Sequence, residues 1–232
     1  MMKKKGTFIV IEGTDGSGKT EQFKRLVARL RRAGAATGRG VATVDFPQYD
    51  KPSSYFVREY LNGKYGGWRD VGPYRASLFY ALDRFDVRPL MERHLAAGRV
   101  LVANRYLPSS MGHQGAKIAG SAERSKFFRW LYDLEYNILG IPRPDLTLIL
   151  HVPAAVAQKL VDQKGSREYV GGAKRDIHEA DVRHLKQAER TYRSIAKTFP
   201  RDFRLVECYE KGRLLSIAEI HERVWHIVKK IL

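Results

Sequence analysis

The sequence predicts a three-layer, doubly wound α/β fold on a five-stranded parallel sheet, and three observations lead there. Short β-branched runs alternate along the chain with longer helical patterns. The runs are apolar throughout rather than alternating with polar residues, as suits strands covered on both faces. The first run, TFIVIE, passes through a glycine-rich turn, GTDGSGKT at residues 13–20, straight into the amphipathic stretch EQFKRLVARLRRA. Such a sheet binds its ligands at the carboxyl ends of the strands.

Taken in order, the strands are expected at residues 7–12, 41–46, 100–104, 146–152 and 204–208. Helical patterns fall at 19–33, 53–61, 73–97, 123–138, 154–162, 181–199 and 216–231. Ser121, with Ala122 and Glu123 behind it, reads as a helix start, and so does Ser216 with Glu219 three residues on. Pro89 lies inside the long third pattern and predicts a kink or break there. Two segments interrupt the alternation and read as mobile loops: NGKYGGWRDVG at 62–72 and KGSREYVGGAKRDIHE at 164–179.

With 232 residues, 44% apolar and 11% aromatic, the chain can bury a large core, and it reads as a single domain over 1–232. The opening MMKKKGTFIVIEG is too short in its apolar part for a secretory signal, and no apolar run is long enough to span a bilayer. A lone cysteine, Cys208, excludes an internal disulfide and fits a reducing compartment, so a cytoplasmic location without membrane contact is expected. Lys and Arg exceed Asp and Glu by 42 to 25, a net charge of +17 that favours polyanionic partners. The basic residues are spread without an arginine-rich arm, which counts against nucleic acid as the partner.

Gly13, Gly18, Lys19 and Thr20 satisfy G-x-x-x-x-G-K-[ST] with a strand before and a helix after, the P-loop context. Gly13, Thr14, Asp15, Gly16, Ser17, Gly18, Lys19 and Thr20 are therefore assigned to a nucleoside triphosphate. Backbone N–H groups and the helix N-terminus face its phosphates, Lys19 neutralises the β- and γ-oxygens, and Thr20 offers a hydroxyl to Mg²⁺. A P-loop alone does not choose among an ATPase, a GTPase, a motor and a small-molecule kinase. Nothing resembles the base-reading motif of GTPases.

Four further stretches follow in order: FPQY at 46–49, LFYALDRFD at 78–86, NRYLPSSMGHQG at 104–115, and the basic segment ending at 179. With them the sequence resembles thymidylate kinases over nearly its whole length, from IEGTDGSGKT through PDLTLILHVP to DVRHLKQAERTYRSIA. The resemblance implies γ-phosphoryl transfer from Mg-ATP to thymidine monophosphate (dTMP), and a homodimer packed through helices. It implies that Asp15 approaches the acceptor's 3′-hydroxyl, that Tyr80 stacks on thymine, and that Arg84 donates to the base carbonyl. Arg105 then grips the acceptor phosphate, Phe46 and Pro47 shape the pocket, and Ser110, His113 and Gln114 line it. Tyr80 also fits a core aromatic, and Arg84 a salt bridge to Asp83 or Glu92.

The P-loop's middle positions hold no arginine, so the family pattern places the catalytic cation on a lid at about 162–179, with Arg167 ahead of Arg175, beside Lys164 and Lys174. Glu179 resembles a lid-proximal acid for Mg²⁺. Four residues depart from the pattern. Asn104 replaces an aspartate, Gln48 a frequent arginine, His151 a common aspartate, and His113 an aromatic that blocks a ribose 2′-hydroxyl. The first two suggest that one negative and one positive group around the same phosphates were dropped together. Competing readings remain a deoxynucleoside kinase, a kinase of another nucleoside monophosphate, a nucleic-acid-linked ATPase and an inactive nucleotide sensor.

Overall fold

The computed structural model describes residues 6–163 and 182–232. Five parallel strands stand in the order β2, β3, β1, β4, β5. They are β1 (Thr7–Gly13), β2 (Val41–Asp45), β3 (Val100–Asn104), β4 (Leu146–His151) and β5 (Phe203–Glu207), each within one residue of its expected ends. The central strand β1 is buried along its entire length. Its side chains alternate in direction: Ile9 and Ile11 join Leu26, Val102, Leu148 and Val224 on one face, and Phe8 and Val10 join Met91, Leu101, Phe127 and Ile195 on the other. Two cores explain the unbroken apolar runs, each fully buried aliphatic or aromatic chain contributing about 1.5–3 kcal/mol.

Around the sheet lie α1 (Lys19–Thr37), α2 (Tyr55–Leu61), α3 (Trp68–Asp86), α4 (Arg88–Ala96), the single turn α5 (Leu107–Ser109), α6 (Ser121–Tyr132), α7 (Ala154–Asp162), α8 (Val182–Thr198) and α9 (Ile217–Val228). The long third pattern breaks after Asp86, and Pro89 sits in the first turn of α4, where its missing N–H costs nothing. Residues 68–72, read from sequence as loop, form a helical turn instead, closed by Gly67 N donating to Asp70 Oδ2 at 2.7 Å. Gly72, at φ 72 and ψ 168, then interrupts the helix, and Pro73 opens its regular part.

The two helix starts read from serine diverge. Ser216 makes a reciprocal cap with Glu219, at 2.7 and 3.2 Å, whereas Gly120 rather than Ser121 caps α6, without a side-chain bond. The pattern at 123–138 splits into α6 and a π-helical stretch, Asp133–Ile138, which carries the buried Glu135. A short antiparallel ribbon, β6 (Tyr209–Glu210) with β7 (Arg213–Leu214), is an addition that sequence reading did not foresee. Cys208 is fully buried, and burial pushes its thiol up to about 12, so it is a core residue and no nucleophile. Among the described residues no helix is long and apolar enough to cross a membrane.

Candidate active site

At the carboxyl end of β1 the chain turns through the P-loop. A side chain on Gly13 (φ 144) would strike Leu150 O at 2.6 Å, and one on Gly16 (φ 80) would strike Ala157 O at 2.1 Å. These contacts exclude every other residue type. Gly18 caps α1 without a side-chain bond, which leaves the first N–H groups of the helix for an anion. Lys19 is 6% exposed and donates to Thr14 O at 2.7 Å, with Asp15 Oδ1 3.7 Å from its ammonium. Thr20 is exposed in the first turn.

On the neighbouring strand β3, the chain leaves through Arg105, whose φ of 64 is left-handed. Such a backbone costs about 1–3 kcal/mol for a non-glycine residue and persists only where its surroundings over-determine it. Here Arg105 N donates to Ile11 O at 3.0 Å, and the buried carboxylate of Glu12 holds the residues that follow. Glu12 accepts from Tyr106 N at 2.7 Å, from Ser109 Oγ at 2.9 and 3.0 Å, and from Tyr192 OH of α8 at 2.9 Å.

The Arg105 guanidinium then points into a cleft and is bonded through Nη2 to Asp15 Oδ1. Its Nη1 lies 3.3 Å from His113 Nε2. Arginine only donates, so Nε2 accepts and the His113 proton sits on Nδ1. Burial, with Arg105, His184 and Lys19 adding positive charge, drives the His113 pKa well below its usual value. The imidazole is neutral at pH 7.

The cleft leaves about 70 Å³ of room for the centres of water-sized molecules and opens to solvent. Every acceptor-side residue named from sequence lines it: Asp15, Phe46, Pro47, Tyr80, Arg84, Arg105, Ser110, His113 and Gln114. Phe46 packs on Tyr106 with centroids 5.8 Å apart, and Tyr80 meets Tyr60 edge to face at 6.5 Å. At the far end Arg84 is 2% exposed and forks onto Glu135, with Nε to Oε2 at 2.6 Å and Nη2 to Oε1 at 2.5 Å. Its Nη2 also donates to Ser110 Oγ at 3.1 Å. Burial pushes the Glu135 carboxyl up, and the bidentate guanidinium of Arg84 works against that rise. The salt-bridge partner of Arg84 is thus neither Asp83 nor Glu92.

Sequence reading missed Tyr49, Leu61, Asp83 and Ser109 along the cleft, together with the anchors Glu12 and Glu135. Tyr49 and Asp83 stood inside the stretches FPQY and LDRFD, whereas no local pattern marks Glu135. Arg167, Arg175, Lys164, Lys174 and Glu179 lie outside the described residues.

Two of the four departures from the family pattern, Gln48 and Asn104, do not meet each other. Gln48 turns onto the third helix, its N donating to Asp83 Oδ2 at 2.9 Å and its amide reaching Ser53 Oγ at 3.3 Å. Asn104 Nδ2 donates instead to Asp45 Oδ1 at 2.9 Å. An acid nonetheless stands beside Asn104, one strand over. His151, the remaining departure, sits between Glu207 at 2.5 Å and Glu189 at 2.9 Å.

Comparison with known proteins places the chain in a family. A family model described as thymidylate kinase matches residues 11–210. A thymidylate kinase of Mycobacterium tuberculosis is 30% identical over 189 residues, covering 81% of this chain and 85% of its own. The Homo sapiens thymidylate kinase is 27% identical, covering 97% and 90%. Among solved structures, the thymidylate kinase of Candida albicans superposes with a TM-score of 0.72 at 21% identity over 97% of this chain and 92% of its own, which speaks for the fold. The match of the family model across the P-loop, the cleft and the β5 strand shows that the chain belongs to the thymidylate kinase family, enzymes that transfer a phosphoryl group from ATP to dTMP.

Proposed function

We propose that the transfer runs along the line Lys19, Asp15, Arg105, which joins the triphosphate loop to the acceptor cleft. The observation supporting this reading is that Asp15 contacts both cations, Lys19 at 3.7 Å and Arg105 by a direct bond. With both substrates bound, Lys19 turns to the β- and γ-oxygens and Arg105 to the acceptor phosphate, which leaves Asp15 to accept from the acceptor's 3′-hydroxyl. The acceptor phosphate is itself an anionic nucleophile, so no general base is needed. The protein's task is to align two phosphates and offset their charge.

Tyr80 and Phe46 flank the base, and Arg84, steadied by Glu135, presents its remaining donor to the ring. Mg²⁺ fits the donor side through Thr20 and the triphosphate oxygens, and Asn104 Oδ1, buried with no partner, is an acceptor suited to a metal-bound water. The ion would neutralise charge on the moving phosphoryl. Positions Thr14 to Ser17 supply no cation, so Arg167 or Arg175 is the candidate for one. The homodimer is proposed to use α3, where Tyr74, Leu78, Leu82 and Phe85 form a stripe 38–47% exposed. A two-fold pair of such stripes buries both.

The test is incubation with Mg-ATP and a panel of thymidine, dTMP, dUMP, UMP, dCMP and dGMP, following diphosphate formation. Preferential conversion of dTMP is expected. Nucleotide binding without transfer to any monophosphate, or ATP hydrolysis stimulated by DNA or RNA, would overturn the reading. For the dimer, Leu82→Glu should convert a dimer to a monomer in light scattering, and a wild-type monomer would refute that face.

A further inference from the structure

We infer that Asp45, at the tip of β2, supplies the acid that Asn104 cannot, by accepting a hydrogen bond from a water ligand of the divalent cation carried on the triphosphate. The inference rests on the phosphoryl-transfer reading above and extends it to a residue that no motif marks. Strands β2 and β3 are parallel and in register, with Asp45 opposite Asn104 at their carboxyl ends. In-register partners present their side chains on the same face of the sheet, and here Asn104 Nδ2 donates to Asp45 Oδ1 at 2.9 Å.

A carboxylate cannot donate, so the NH₂ end of the amide must face Asp45, and Oδ1 must face away. That oxygen is buried without a partner in a residue only 7% exposed. An acceptor left in that condition costs about 1–3 kcal/mol unless a donor arrives. The pair thus holds a carboxylate on one side of the amide and an unpartnered acceptor oxygen on the other, with one negative charge in total. A single aspartate at 104 would bring the same charge.

Asp45 ends β2 two strands from β1, at the same carboxyl edge of the sheet from which the P-loop leaves. Arg105 and Lys19, the two cations of the transfer line, both stabilise its charge, while the protein mass around the carboxyl raises its pKa although the residue stays open to solvent. Asn104 is the positioning residue. It fixes the Asp45 rotamer through one end of its amide and meets the metal's water shell with the other.

The test uses the full chain and Mn²⁺ as the probe, with free Mn²⁺ followed by its spin-resonance signal in the presence of a non-hydrolysable ATP analogue. Asp45→Asn should weaken Mn²⁺ binding to the complex about tenfold, the loss typical when an outer-shell partner is removed. Affinity for the analogue without metal should not move. The exchange Asp45→Asn with Asn104→Asp, which returns the acid to β3, should restore Mn²⁺ binding close to the wild-type value and also covers the case in which the single variant fails to fold. A folded Asp45→Asn with wild-type Mn²⁺ affinity, or a double variant without rescue, would overturn this inference alone. If the wild-type complex holds no Mn²⁺ at all, the metal-dependent transfer reading falls with it.

Discussion

The two ends of the acceptor cleft are each held by an arginine, and the two arginines are held in opposite ways. Arg84 is buried, and its fork is occupied by Glu135, a carboxylate that is itself fully buried. Arg105 faces the cleft on a left-handed turn and bonds Asp15 of the P-loop through Nη2, a partner that, on the proposed reading, an incoming phosphate replaces. On the proposed reading, the first arrangement shapes a pocket for a neutral base. On the same reading, the second holds a contact that a charged phosphate exchanges for its own. A satisfied ion pair in a dry site contributes rigidity, whereas a pair at the mouth of a cleft contributes selectivity for whatever competes with it.

The sharpest way to break the comparison is to remove the permanent partner. Glu135→Ala leaves the Arg84 guanidinium buried and unpaired, which should cost about 3–5 kcal/mol of folding stability, read as a lowered denaturant midpoint. A loss below 1 kcal/mol would mean that Arg84 finds another partner. Arg105→Ala should spare stability but lower kcat/KM for dTMP about 10²–10³-fold, chiefly through KM, the size seen when a positioned charge partner is lost. An unchanged KM would remove Arg105 from phosphate binding.

Arg105→Lys should lie between the two, losing about tenfold because an ammonium keeps the charge but not the fork. The smallest effect concerns His113. Its folded pKa lies below the ordinary 6.5, so the unfolded chain binds more protons as the pH falls. Stability should therefore decline from about pH 6.5 downward, by at most about 1.4 kcal/mol per pH unit, and His113→Gln should flatten that slope. A slope identical in the two proteins would mean that His113 titrates normally.

Much of this was readable in one dimension. The P-loop and the five strands within a residue of their ends came from local spacing, because a strand's burial and a helix's face repeat over a few residues, while the acceptor-side residues that were named came from the resemblance to a family. The turn at 68–72 was missed because Gly66 and Gly67 read as loop, while the cap that makes the turn helical is supplied by Asp70 just behind them. Ser121 carried the chemistry of a cap without the backbone geometry, which Gly120 took instead.

Sequence by itself determined the layered fold, the phosphate loop and the order of the site's parts, since each depends on neighbours along the chain. Tertiary structure alone decided who partners whom. Arg84 meets Glu135 across 51 residues, Asn104 meets Asp45 across 59, and Tyr192 reaches Glu12 across 180. Each of these bonds depends on strand register, on the direction of a side chain and on which groups lose access to water together. Those quantities exist only once the sheet has closed its two cores.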